Sequence, residues 1–209
     1  MKTLPTFEYE TNLWQKGITY IAGVDEVGRG CFAGPVVAAA VILPQDFNAT
    51  DKIDDSKRVS AKTREVLAEI IKKHALAYAI AEVSVPVINE IGIGKATQIA
   101  FAKAIQSLST APDHILMDAF LIKSLAPQIQ TPIIHGDRIS ISIAAASIIA
   151  KVYRDDLMHK LHTKYDAYDF ITNKGYGTKA HRQAIMQHGL TDIHRLSFDL
   201  TKYLPADQE

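Results

Sequence analysis

The chain has 209 residues, 47% of them hydrophobic, and its 23 basic and 23 acidic residues cancel to a net charge of zero. That length and apolar content can bury a core in one domain, while the longest apolar run, Pro35 to Leu43, is far too short to span a bilayer. A lone cysteine excludes an intrachain disulfide framework and points to a reducing compartment; an N-terminus without an apolar signal core, carrying Glu8 and Glu10, makes the cytoplasm the expected location.

Taken in chain order, Ile18–Asp25 and Pro35–Leu43 read as strands joined by a glycine-rich turn. The second lies between Gly34-Pro35 and Pro44, and its length favours a buried strand over a helix. Ser60 is placed to cap a helix running to about His74. Ala75–Val85 reads as a third strand and Ile88–Leu108 as one helical stretch. His114–Ala119 and Pro132–His135 are short apolar strands. In Ser140–Lys160, the positions Ala145, Ile148, Ile149 and Val152 form an i, i+3, i+4, i+7 stripe, a helix face turned to the core. After about Tyr165 come a glycine-rich loop and a helix over Lys179–His188. This mixture predicts an α/β fold with a central mixed sheet and helices packed on it, a core over about 18–165 and a small helical C-terminal appendage over about 166–209, all in one domain.

The run Gly23-Val24-Asp25-Glu26-Val27-Gly28-Arg29-Gly30-Cys31-Phe32-Ala33-Gly34 carries most of the chemistry. Side chains alternate along a regular strand, so Asp25 and Glu26 share a face only if the strand ends or bulges there, and Gly28 and Gly30 permit the sharp turn. Carboxylates at such a place suit a hard cation, since Mg²⁺ favours oxygen ligands. Arg29 between glycines can offer its donors and nearby backbone N–H groups to a phosphate. For the Asp-Glu pair alone, a solvated hairpin end is the plain alternative. Asp118 ends an apolar strand and Asp137 follows a glycine just before the long helix; each, taken singly, also reads as an ordinary turn residue. No His or Cys spacing fits zinc, because His159 and His162 lack a further ligand, and they read as surface histidines. Cys31 has no evident histidine partner and is not expected to be a nucleophile.

The Gly23–Gly34 run resembles the signature of type 2 ribonucleases H, the ribonuclease HII family. The likeness continues through Asp55-Ser56-Lys57-Arg58-Val59-Ser60, Ile115-Leu116-Met117-Asp118-Ala119, Gly136-Asp137 with the helix at Ser140–Val152, Gly175-Tyr176-Gly177-Thr178 with His181, and His194-Arg195-Leu196-Ser197-Phe198. These segments span about 20–200 in the family's order. Cys31 departs from the pattern, where proline or another small residue is usual; this touches the turn after Gly30 and no acidic position.

The resemblance implies a ribonuclease H-like fold and an endoribonuclease that hydrolyses the RNA strand of RNA–DNA hybrids. It also implies cutting 5′ of single ribonucleotides embedded in DNA, leaving 3′-OH and 5′-phosphate ends, in the service of ribonucleotide and RNA-primer removal. Asp25, Glu26, Asp118 and Asp137 would be the catalytic ligands of two divalent ions, Mg²⁺ or Mn²⁺, with the Glu26 main-chain carbonyl a further donor. Four clustered carboxylates repel one another unless cations neutralise them. Substrate contacts would fall to Gly28, Arg29 and Gly30, whose bare backbone can approach a 2′-OH, to Lys57 on phosphate, and to Tyr176 packed on the sugar past the cut. Lys57 as a plain loop lysine and Tyr176 as a structural anchor are the alternatives.

Zero net charge fits a small nucleic-acid footprint better than indiscriminate tight binding. The segment Lys151 to His188 holds seven Lys or Arg against four Asp and could form a basic face, or a solvated mixed surface. Gly92-Ile93-Gly94-Lys95-Ala96-Thr97 hints at a P-loop but fails the pattern at Asn89 and Ala96, so no nucleotide cofactor is expected. A non-catalytic hybrid-binding module would not need all four carboxylates. The chain is expected to be a monomer, without a sliding-clamp peptide in Leu200–Glu209 and without a membrane partner.

Overall fold

The computed structural model describes residues 4–48, 53, 56 and 59–204. Its elements run α1 (Glu8–Trp14), β1 (Ile21–Val27), β2 (Val36–Ile42), α2 (Ala61–His74), β3 (Ala77–Val83), α3 (Val85–Ile91), α4 (Ile93–Gln106), β4 (His114–Asp118), β5 (Gln130–Ile133), α5 (Ile141–His162), α6 (Phe170–Asn173) and α7 (Lys179–His188). Asp137 lies in a single 3-10 turn, Gly136–Arg138, between β5 and α5.

The five strands form one mixed sheet in the order β3-β2-β1-β4-β5. β1 pairs antiparallel with β2 and parallel with β4, and β5 joins β4 in parallel. Two cores flank the sheet. On one side Ala22 and Val24 of β1, with Met117 of β4, pack on Ala96, Ala100, Phe101 and Ala104 of α4. On the other, Val27 and Val37 meet Ile148 and Ile149 of α5, and Leu116 meets Ile143. The first ten residues of α5 are buried on every side, because α2 and α1 cover the face that the sheet does not. Their burial goes beyond the single apolar stripe that the spacing predicts.

Three expectations need correction. β1 neither ends nor bulges at Asp25-Glu26: the register continues through Asp25↔Ala39, Glu26↔Ala38 and Val27↔Val37, so strand pairing carries the two carboxylates to opposite faces. The stretch Ile88–Leu108 is two helices, α3 and α4, broken at Gly92, whose φ of 79° lies outside the helical region. The predicted strand Pro132–His135 is shifted to Gln130–Ile133, with His135 in the left-handed conformation at φ 57°. By contrast Ser60 caps α2 by accepting from the Thr63 N–H, and α7 spans Lys179–His188.

Helix α1 was not legible in the sequence. Its Glu10, fully buried, accepts from the Ser140 hydroxyl at 2.6 Å and the Ser142 N–H at 3.0 Å, so a carboxylate from the N-terminal segment caps the start of α5. The C-terminal segment is tied to the glycine-rich turn rather than appended at a distance. Phe32 and Ala33 donate their N–H groups to the Gly175 carbonyl, and Arg195 N–H donates to the Phe32 carbonyl.

Candidate active site

Parallel pairing of β1 with β4 places Val24 beside Met117, so Asp25 and Asp118 follow as neighbours at the carboxyl ends of adjacent strands. Alternation puts both on the α5 side. Asp118 accepts from the Gly136 N–H at 2.8 Å, which draws the 3-10 turn bearing Asp137 towards the same edge. Asp25 is 5% exposed and Asp137 is 7% exposed. Glu26, half-buried, stands on the opposite face of β1, towards α4.

Asp25 records this crowding. Burial first, then Glu26, and then Asp118 and Asp137 push its carboxyl well above the usual carboxylate range, while a hydrogen bond from Ser147 of α5 opposes them. Glu26, Asp118 and Asp137 therefore all lie within the field of Asp25. Among the described residues no three His, Cys, Asp or Glu side chains are already drawn to a metal-holding spacing, as expected of like charges on two sides of a strand. The donor set is all hard oxygen, and among the described residues its most buried charge, Asp25, has no cationic partner, so it fits divalent cations of the Mg²⁺ type.

Next to these carboxylates lies a cleft of about 250 Å³ lined by Glu26, Gly28, Arg29, Gly30, Ser56, Ser147 and Tyr176, among others. The structure thus gathers most of the sequence-predicted residues in one place. Gly28 has φ 88°, and a Cβ there would run into the Arg154 guanidinium. Gly30 needs no unusual φ and a Cβ there would meet nothing within 4 Å, so its place in the turn is not a folding requirement. Lys57, with Asp55 and Arg58, lies outside the described residues. Ser56 of that segment is buried, its hydroxyl 2.9 Å from that of Ser147, and Arg64 Nε donates to its carbonyl at 2.7 Å.

Tyr176 is half-buried, 6.0 Å beneath the Arg154 guanidinium. Its phenol is pushed up to about 12, by burial foremost and then by Cys31, with which it shares a hydrogen bond. Burial also raises the Cys31 thiol, which makes it a poor nucleophile and a packing partner of Tyr176.

Two buried arginines hold the cleft together, and sequence reasoning gave neither a role. Arg154 donates to the carbonyls of Pro35, Lys174 and Ala33 at 3.1, 2.8 and 3.1 Å. Arg195 donates to Gly34 through Nε and Nη2, at 2.9 and 2.8 Å, and to the Arg29 carbonyl at 2.9 Å. Among the described residues neither forms an ion pair with a carboxylate; Arg154 ties the Ala33–Pro35 segment to the loop bearing Tyr176, and Arg195 ties the Gly-Arg-Gly turn and Gly34 to the C-terminal segment. Arg154 had a visible signal, since Ala150, Arg154 and Met158 fall on one buried stripe of α5, where a lone arginine calls for buried acceptors. Of the two readings for Lys151 to His188, a basic face or a mixed surface, the pairings in the structure favour the mixed one. Arg154 is buried, Lys151 pairs with Asp155 at 2.6 Å, and Lys160 pairs with Asp156 at 2.7 Å.

A five-stranded mixed sheet with carboxylates at the ends of its central strands defines a ribonuclease H-like fold. Solved structures agree: ribonuclease H2 from Pyrococcus horikoshii OT3 superposes with a TM-score of 0.71 at 24% identity over 88% of this chain and 95% of that one. RNase HII from Archaeoglobus fulgidus, solved in complex with PCNA, gives 0.67 at 26% over 85% and 94%. Bst-RNase HIII in complex with Mn²⁺ gives 0.66 at 21% over 88% and 68%.

The family model described as Ribonuclease HII matches residues 22–201, and the chain belongs to that family. Curated relatives include the ribonucleases HII of Bacillus mycoides (strain KBAB4), 50% identical over 94% of this chain and 76% of that protein, and of Listeria monocytogenes (strain EGD-e), 49% identical over 93% and 74%. The protein is accordingly a divalent-metal-dependent ribonuclease of the ribonuclease H class. Among the described residues no helix is long and apolar enough to cross a membrane.

Proposed function

We propose that the protein is an endoribonuclease that hydrolyses the RNA strand of RNA–DNA hybrids and cuts on the 5′ side of single ribonucleotides embedded in duplex DNA, leaving 3′-OH and 5′-phosphate ends. The observation that carries this reading is the cleft where Glu26, the Gly28-Arg29-Gly30 backbone and Tyr176 line one space beside Asp25.

Asp25, Glu26, Asp118 and Asp137 would hold Mg²⁺ or Mn²⁺ through hard oxygen donors. Bound there, the ions would supply an activated water and stabilise the departing oxygen of an in-line displacement. The chain's own groups do the selecting. Around Gly30 nothing blocks a sugar from reaching the backbone, and contact with a 2′-OH separates RNA from DNA. Tyr176, on the loop that Arg154 holds at the Lys174 carbonyl, presents a ring to the next sugar, where a deoxyribose leaves room for it. Lys57 is proposed to reach a flanking phosphate. Water is the nucleophile, so the 2′-OH serves recognition alone.

The test is a DNA duplex containing one ribonucleotide, incubated with Mg²⁺ or Mn²⁺ and its product ends mapped. Cleavage 5′ of the ribonucleotide with a 3′-OH is expected; EDTA stops it, and a 2′-deoxy or 2′-O-methyl sugar at the cut resists it. Activity in EDTA, or a 2′,3′-cyclic phosphate product, refutes the mechanism.

A further inference from the structure

On the α4 side of the sheet, a groove of about 530 Å³ runs between the first turns of α4 and the loop that follows β4. Arg29 lines both this groove and the smaller cleft, so the two adjoin at one side chain. Lys95 stands on the α4 wall and Lys123 on the loop wall, both exposed. Gln98 stitches the walls together, donating to the Leu121 carbonyl at 3.0 Å and accepting from the Lys123 N–H at 2.8 Å. Phe120, two residues beyond Asp118, is 44% exposed, and the Arg29 guanidinium lies 4.6 Å above its ring.

The chain is neutral overall, yet the residues that line this groove include three cations, Arg29, Lys95 and Lys123, and no acid. Arg29, Lys95 and Lys123 form no ion pair among the described residues. Three cations with no ion pair among the described residues, around an apolar-walled groove, favour a polyanion whose charges are spaced along its length. An exposed aromatic beside them adds a surface for a base or sugar.

We propose that this groove is a second contact surface for the nucleic-acid substrate. It takes the phosphodiester backbone where the duplex leaves the cleft, with Lys95 and Lys123 on phosphates and the Arg29–Phe120 pair at the junction. The proposal rests on the ribonuclease reading and extends it, giving the enzyme a footprint longer than its cleft. It also gives Lys95 a role that does not involve a nucleotide.

The experiment measures steady-state cleavage of two duplexes carrying one ribonucleotide, one covering only the cleft and one extending well beyond it on both sides, over a range of salt. The double variant Lys95→Gln/Lys123→Gln should raise KM for the long duplex roughly tenfold and flatten its dependence on salt by about two phosphate contacts. KM for the short duplex should stay close to that of the unaltered protein. Lys103→Gln, on the same helix but outside the groove, should match the unaltered protein on both. An equal change on the two duplexes, an unchanged salt dependence, or the same loss in the Lys103 control overturns the inference. If the unaltered protein cleaves neither duplex, the ribonuclease reading fails instead.

Discussion

Asp25 is buried among like charges, and its raised carboxyl pKa has a definite sign. A group protonated more readily when folded stabilises the fold at low pH and loses that contribution as pH rises through its folded pKa. Near neutrality, without metal, the Asp25 charge therefore costs stability. Asp25→Asn should abolish cleavage while the metal-free protein melts at the same temperature or slightly higher, and normal turnover or a large loss of stability would recast the residue as structural. Gly28 and Gly30 separate folding from recognition in the same turn. Gly28→Ala forces a side chain into φ 88° and against Arg154, so unfolding should become easier by about 1–3 kcal/mol. Gly30→Ala has open space and should change stability by less than about 0.5 kcal/mol, yet slow cleavage because its methyl stands where the sugar approaches. Urea melts beside cleavage rates check both.

At the scale of elements, local signals predicted what local physics decides. Ser60 caps its helix, and the helix expected over Lys179–His188 forms with those bounds. Asp118 at the end of β4 and Asp137 in the turn before α5 were legible because an apolar run followed by an acid or Gly-Asp is a local pattern. The break at Gly92 was not, because an isolated glycine in an apolar stretch is compatible with continuous helix. The straight passage of β1 through Asp25-Glu26 is imposed by its antiparallel pairing with β2 across the glycine-rich turn, which holds both residues in register. The arginine straps were hidden for a related reason: their acceptors are backbone carbonyls that only the fold brings near. Arg154→Met should strand the carbonyls of Ala33, Pro35 and Lys174, costing about 3 kcal/mol or more. It should also loosen the turn and the Tyr176 loop together, so cleavage of a single embedded ribonucleotide falls even under conditions where the variant remains folded. A variant with unaltered stability would show that these carbonyls find other donors.

At the scale of the whole molecule, stability against acid rests on a chain of buried histidines that joins Thr191 to the Tyr176 carbonyl. The Thr191 N–H donates to His194 Nδ1 at 2.9 Å, which leaves the proton on Nε2. That proton faces His181 Nε2 at 3.1 Å, and His181 Nδ1–H donates to the Tyr176 carbonyl at 3.0 Å. Both rings must be neutral for this arrangement. Burial, with His181 next, pushes His194 down to about 4, and burial lowers His181 too. A histidine whose folded pKa is depressed contributes stability fully above its unfolded value near 6.5 and loses it as pH falls through the folded value. Unfolding free energy should therefore decline between about pH 6.5 and 4, with His194 accounting for on the order of 3 kcal/mol. His114, lowered by burial and by Lys16, adds to the decline with the same sign. His194→Asn removes one titration: it should be less stable than the unaltered protein at pH 7, with a shallower fall towards pH 4, so the two curves converge in acid. Urea melts across that range measure this directly, and parallel curves would mean that His194 is neutral in both states or already solvated in the folded one.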